Sequence, residues 1–532
     1  MNLILSLPDA VILCSALAAG AAVARRLCPG ISNRPSAGLA PALLVGLAVT
    51  LVALEAAALW LVQPEDPWNN ARLTPAIALH HGFKLYYPLQ DGPVLSTVVG
   101  PMAFLAYWPI GFFKGSPTTL ILLASALNLA VCAGLGLALV RAASVNPLAR
   151  SLGWLTGAQL VLFYPSLRYS IFCIHSDAPA LFLGGLGAGL VIFSRDGLSW
   201  RRSLLVALCL TLAVWAKQSL VPIFAAVGVV AGLTHGITAV RRLIAASAIV
   251  GGLVSIVFVA WLGYTNLRDN MFAVPAQHPW NQMSLISGEI FNDLNAIGAA
   301  AHLKVLVAAA LSLARENWLA FAVLSAALIS QAREGGTRWR WPRKPWAAWF
   351  LIAICMIPTA AIGRIKVGGA VNHESFVMFF FIAALVCWLV QKNDDNHPAD
   401  FTSLVAVLAL LSLVNFPHAW EYRGWRATWD NQSEQAYRYD LHHPGAVYFP
   451  WNPLTSLLAE GKLYHFDYGV FDRNLGGAHV GTDHVMRDLP SPRPLIASYV
   501  AHHDYILRTY FSDYRPRVPI PDLPGWKIYG PP

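Results

Sequence analysis

Residues 241–264 read RRLIAASAIVGGLVSIVFVAWLGY. From Leu243 to Tyr264 no side chain is charged, and the run exceeds the ~20 apolar residues that a helix needs to cross a bilayer. Arg241 and Arg242 stand at its entrance, and basic residues beside an apolar run mark its cytoplasmic end. The same reading extends outward in both directions. Further apolar segments lie near 9–24, 38–62, 94–113, 118–140, 152–166, 177–194, 203–216, 217–234, 316–331, 346–361, 372–391 and 401–416. The expected fold is therefore an all-α polytopic membrane protein with about 11–13 transmembrane helices. Composition agrees: the 532 residues are 56% hydrophobic and only 12% charged, about half the charge of a soluble domain at roughly 25%.

The net charge of +9 fits basic cytoplasmic loops. Arg333, Arg338, Arg340, Arg343 and Lys344 form the strongest inside signal, followed by Arg25, Arg26 and Arg34, by Arg195, Arg201 and Arg202, and by the pair at 241–242. No basic stripe tracks a phosphate backbone, so nucleic acid is not an expected partner. None of the seven cysteines pairs as CxxC, and no metal site is expected. The apolar run from Val11 to Val23 lacks a basic leader and is expected to be a retained helix.

Counting from the basic anchors puts four loops on the external face, near 63–93, 168–176, 265–315 and 362–371. Three segments lie between 93 and 168, so one of them does not cross. That one is 94–113, where Pro93, Pro101 and Pro109 interrupt the helix. Residues 1–417 thus form a transmembrane domain and 418–532 an external C-terminal domain. The tail has no span. A strand at Ala446–Phe449 and a helix at Pro453–Glu460, with Asn452 before it and Gly461 after it, suggest a small α/β unit. Its eight histidines lack ligand spacing and read as surface residues.

Three groups of residues carry candidate chemistry. Glu65 and Asp66 end the segment 38–62, with Arg72, Lys84 and Asp91 following in the same loop. A carboxylate there reads either as a general base for an acceptor hydroxyl or as a helix cap. His175 and Asp177 precede an apolar run, and Lys217 interrupts another. Ionisable groups at such depth are functional candidates, although Lys217 also reads as a snorkelling lysine and Asp177 as an N-cap. Arg364 and Lys366 lead through Gly368-Gly369 to Asn372, His373 and a helix start, a place suited to an anion or to anionic headgroups.

These motifs resemble the GT-C superfamily of integral-membrane glycosyltransferases, in particular the bacterial branch similar to protein O-mannosyltransferases and lipid A aminoarabinose transferases. The resemblance rests on Glu65-Asp66, on "HGFKLYYPLQDGP" closing the first loop, on "HSDAPALFLGGLGAGL" from His175, and on "AKQSL" and "KVGGAVNHESF". It spans roughly residues 40–390 as short motifs. It implies a multi-pass enzyme of the bacterial inner or plasma membrane. Such an enzyme takes a monosaccharide from a polyprenyl-phosphate donor to an external glycan, lipid or protein acceptor, among membrane lipids. It assigns the essential acid to Asp66, with Glu65 as alternative. Where the aminoarabinose branch has Lys-Pro-Pro this chain has Asp91-Gly92-Pro93, which leaves Arg72, Lys84, Lys217, Arg364 and Lys366 to meet the phosphate. No cofactor is implied. The alternatives are a secondary transporter, which often shows internal repeats not seen here, and a ligase or polymerase of lipid-linked glycans.

Overall fold

The computed structural model describes residues 39–279, 344–395, 407–415 and 430–532, apart from 96, 367, 368, 370, 491, 492 and 500–503, with isolated helical positions between 303 and 325. The apolar segments 9–24 and most of 316–331, the basic cluster at 333–343, most of the 265–315 loop and residues 418–429 lie outside the described residues.

The chain is predominantly helical. Its main helices are α1 (Leu39–Leu61), α2 (Pro67–Ala78), α3 (Pro117–Ala143), α4 (Pro147–Phe163), α5 (Pro165–Phe172), α6 (Asp177–Ile192), α7 (Trp200–Ala216), α8 (Ile223–His235), α9 (Ile237–Leu262), α10 (Pro345–Ile365) and α11 (Ser375–Asp395). Their starts are written locally: Asn146 accepts from the N–H of Leu148 at 2.9 Å to cap α4, and proline opens α2 to α5 and α10, where its missing N–H costs nothing.

Among the described residues six stretches are long and apolar enough to cross a membrane: Leu43–Glu65, Pro117–Ala143, Gln218–His235, Ile237–Leu262, Pro345–Ile365 and Val371–Gln391. A seventh results if α5 and α6, bent by 101° at their junction, count as one broken span. The expected 11–13 also includes the segments 9–24 and 316–331, which lie wholly or mostly outside the described residues. Of the expected segments that are described, α4 and α7 are each 17 residues, at the short end of the ~17–25 that a span takes. Residues 94–113 form no long helix. They contain a one-turn helix at Met102–Leu105 and a 3-10 turn at Trp108–Phe112, as their prolines lead one to expect.

Two apolar cores organise the helical region. The larger packs α4, α6, α7, α8, α10 and α11 around Trp346, Trp349, Phe380 and Phe381. α9 instead leaves Ile244, Leu253, Ile256, Val257 and Trp261 exposed, a broad apolar face of the kind that a soluble monomer avoids. The second core joins α2 and the 85–110 segment (Leu73, Leu85, Phe104) to Trp451, Leu454 and Phe466 of the tail. The C-terminal region is therefore seated on the first loop through a shared core.

The tail contains α12 (Gln432–His442), β1 (Val447–Tyr448), α13 (Pro453–Glu460), α14 (Asp467–Leu475), α15 (Thr482–Arg487), β2 (Leu495–Ser498), α16 (Tyr505–Tyr510), β3 (Arg515–Pro516) and β4 (Lys527–Gly530). The sheet order is β1-β2-β4-β3, with β1 parallel to β2 and the other pairs antiparallel. Strand alternation puts Ile496 in one apolar cluster and Ala497 in the opposite one. The helix expected at Pro453–Glu460 is present with those bounds and ends on Gly461 at φ 68°, the left-handed stop that glycine supplies.

Candidate functional site

The junction of α5 and α6 positions the site. Between Phe172 and Asp177 the chain leaves the helix, which frees backbone groups that need partners in an apolar setting. Side chains from three other elements supply them. Ser125 and Asn128 of α3 donate to the carbonyls of Phe172 and Cys173 at 2.6 and 3.0 Å. Asn69 of α2 accepts from the N–H of Ile174 at 2.7 Å, and the Tyr107 hydroxyl donates to the carbonyl of His175 at 2.9 Å. The break is thus held open by design of the sequence around it.

Asp177, at the start of α6, is fully buried. Its Oδ1 accepts from Lys217 Nζ. Its Oδ2 lies 2.6 Å from His175 Nδ1, 2.8 Å from Asn372 Nδ2 and 3.3 Å from Ser170 Oγ. Three of the residues singled out in sequence, His175, Lys217 and Asn372, therefore converge on the carboxylate of a fourth, Asp177, so that three distant parts of the chain meet. This corrects two bland expectations. Asp177 does not cap its helix, because its carboxylate serves side chains instead. Lys217 does not snorkel, because it is buried beside Asp177 and 5.3 Å from the Phe376 ring.

In front of this network lies a cavity of about 610 Å³. Its wall includes the expected residues Arg72, His175, Lys217, Lys366, Asn372 and His373. Arg72 stacks over Trp68 at 4.7 Å and donates to the Tyr169 hydroxyl at 2.5 Å, which fixes its guanidinium at the wall. Lys366 Nζ donates to the carbonyl of Pro275 at 3.1 Å, and burial lowers its pKa. Gly363 must be glycine where it passes His373: a Cβ there would meet the ring Nδ1 at 2.1 Å.

Other expected residues lie elsewhere. Asp177 sits behind the wall. Asp66 caps α2, accepting from the N–H of Trp68 at 3.0 Å. Burial raises its pKa against the opposing pull of Arg72. Neither Asp66 nor Glu65 lines the cavity, and Glu65 is exposed with its carbonyl accepting from Gln432 at 2.8 Å. Lys84 and Asp91 are exposed, and Asp91 pairs with Arg487 at 3.2 Å. Arg364 turns to Glu374 at 3.7 Å.

Several wall residues escaped sequence reading. Trp68 and Tyr169 give the cavity aromatic surfaces, Gln218 fastens it by donating to the carbonyls of Val98 and Met271 at 2.9 and 3.1 Å, His278 enters from the middle of the chain, and Tyr468 and Asp472 enter from the tail. Asp472 is the one carboxylate among the described wall residues. Its Oδ1 lies 3.3 Å from His278 Nε2, and burial pushes it up to about 6.

The tail histidines are not all surface residues. His465 and His484 are buried, and with Asp488 they offer ligand atoms within 4.8 Å of one another. The hydrogen bonds argue against a metal there. The N–H of Val94 donates to His465 Nδ1 at 2.9 Å, so a neutral ring keeps its proton on Nε2 and has no second lone pair to give. His484 Nε2 contacts the carbonyl of Gly92 at 2.7 Å. The pair therefore ties the 92–94 segment to the tail.

No family model matches the chain, and no curated protein matches it.

Proposed function

We propose that the chain is a polytopic membrane glycosyltransferase of the GT-C type. It moves a monosaccharide from a polyprenyl-phosphate donor to an acceptor on the external face. The six apolar stretches and the exposed face of α9 support a membrane setting. One observation carries the chemistry: a single cavity gathers Arg72, Lys217 and Lys366 with the aromatic faces of Trp68, Tyr169 and Tyr468. Fixed cations suit a leaving phosphate, whose charge grows as the glycosidic bond breaks, and aromatic walls suit a sugar ring. In this reading Asp66 holds the first turn of α2 and so places Trp68 and Arg72, while the Asp177 network fixes Lys217.

A second reading keeps one specific observation in its favour. A helix pair broken at 101° beside a buried ion pair also suits a secondary transporter, which binds solutes at such breaks. Purified protein in nanodiscs, given a panel of undecaprenyl-phosphate hexoses, separates the two. The transferase releases undecaprenyl phosphate and forms a new glycoside. A transporter leaves every donor intact and moves free solute across proteoliposomes.

A further inference from the structure

The sequence points to Asp66 as the base, yet Asp66 spends one carboxylate oxygen on a helix cap and stays off the cavity wall. The carboxylate on that wall comes from the tail. α14 starts where the N–H of Phe466 bonds to the carbonyl of Val94 at 2.8 Å, so the helix is tied to the first-loop region that forms the opposite wall. In the first turn of α14, Tyr468 faces Trp68 at 4.6 Å. The next turn brings Asp472 to the same side, as the i, i+4 spacing of a helix requires. Arg473, its chain neighbour, turns away to the carbonyl of Leu89 at 3.1 Å and to Asn270 at 3.3 Å, so it fastens the helix without neutralising Asp472 by contact. Gly476 closes the approach, since a Cβ there would meet the backbone of Val274 at 2.8 Å, and this brings the His278 segment against α14.

We propose that Asp472, oriented by His278, is the base that activates the acceptor hydroxyl, so that the C-terminal region completes the active site. This rests on the transferase reading above. In the step, Asp472 takes the hydroxyl proton while the acceptor oxygen bonds to the anomeric carbon. The bond from that carbon to the phosphate oxygen breaks, and its electron pair leaves with the polyprenyl phosphate. The groups facing Asp472 are His278, Arg473 and Tyr468. Asp472 is a base only as the carboxylate, and burial holds its pKa near 6, so the rate rises with pH through that region.

The test uses the full chain in nanodiscs with Asp472→Asn, His278→Gln and Asp66→Asn. Three readouts are followed: undecaprenyl phosphate binding, its release from undecaprenyl-phosphate hexoses across pH, and carboxyl infrared difference titration. Asp472→Asn should lose about 10²–10⁴-fold in turnover, lose the acid limb of the pH profile, and lose one infrared carboxyl band titrating near 6, with undecaprenyl phosphate binding retained. His278→Gln should shift that limb, a change that a purely structural role does not produce. The assignment is overturned if Asp472→Asn keeps the limb, or if Asp66→Asn alone removes it. If wild-type protein neither binds undecaprenyl phosphate nor releases it, while the infrared band at Asp472 is present, the transferase reading itself has failed and the base assignment falls with it.

Discussion

Replacing Asp177 by asparagine tests whether the buried network is what holds the broken helix and its lysine. The carboxylate has four partners, Lys217, His175, Asn372 and Ser170. Asparagine keeps the shape but removes the charge, and it puts an N–H₂ where one acceptor oxygen stood. Lys217 is left buried without its counter-ion, an arrangement that typically costs about 3–5 kcal/mol. Lys217→Met removes the other charge. Asp177 then still has three hydrogen-bonding neighbours, so the loss should be smaller, on the order of 1–3 kcal/mol. The double variant Asp177→Asn with Lys217→Met has no stranded charge. It should be more stable than Asp177→Asn alone, with a coupling energy of about 2–3 kcal/mol. The assay is reversible unfolding in mixed micelles, followed by tryptophan fluorescence at matched detergent composition. A loss below about 1 kcal/mol for Asp177→Asn, or a double variant equal to the sum of the singles, would refute the reasoning.

Other outcomes follow from single contacts. Gly100→Ala drives a Cβ to within 1.8 Å of the Trp215 carbonyl, so thermal unfolding should show a loss of about 1–3 kcal/mol or more. Lys366→Met should weaken undecaprenyl phosphate binding by about 1.5–3 kcal/mol in titration calorimetry while leaving the unfolding midpoint near that of the wild type. Asp66→Asn should keep the α2 cap, whereas Asp66→Ala should cost about 0.5–2 kcal/mol in the same unfolding assay.

Much of this architecture was readable because its signals are local. The helix Pro453–Glu460 is punctuated by its own proline and glycine, and the long apolar runs announce α3, α9, α10 and α11. His175, Asp177 and Lys217 stood out because ionisable groups are anomalous beside apolar runs, and Asn372 because it follows a basic Gly-Gly turn at a helix start. Asp472 carried no such signal: in a polar tail one more aspartate is ordinary, and only the packing of α14 against the 274–278 segment brings it beside His278. That Asp66 caps α2 and does not line the cavity was hidden for a related reason. A sequence shows an acid after a helix, but it does not show that the next N–H claims its oxygen. The histidines at 465 and 484 looked like surface residues because their partners, Val94 and Gly92, lie almost four hundred residues earlier.

The most direct measurement is a cryo-EM map of the full chain in nanodiscs with undecaprenyl phosphate added. The expected map has the phosphate in the 610 Å³ cavity, within hydrogen-bonding reach of Lys366 or Arg72, and the chain leaving toward the lipid. A phosphate bound elsewhere on the protein, with that cavity filled by water alone, would contradict the assignment of the cavity as a donor site.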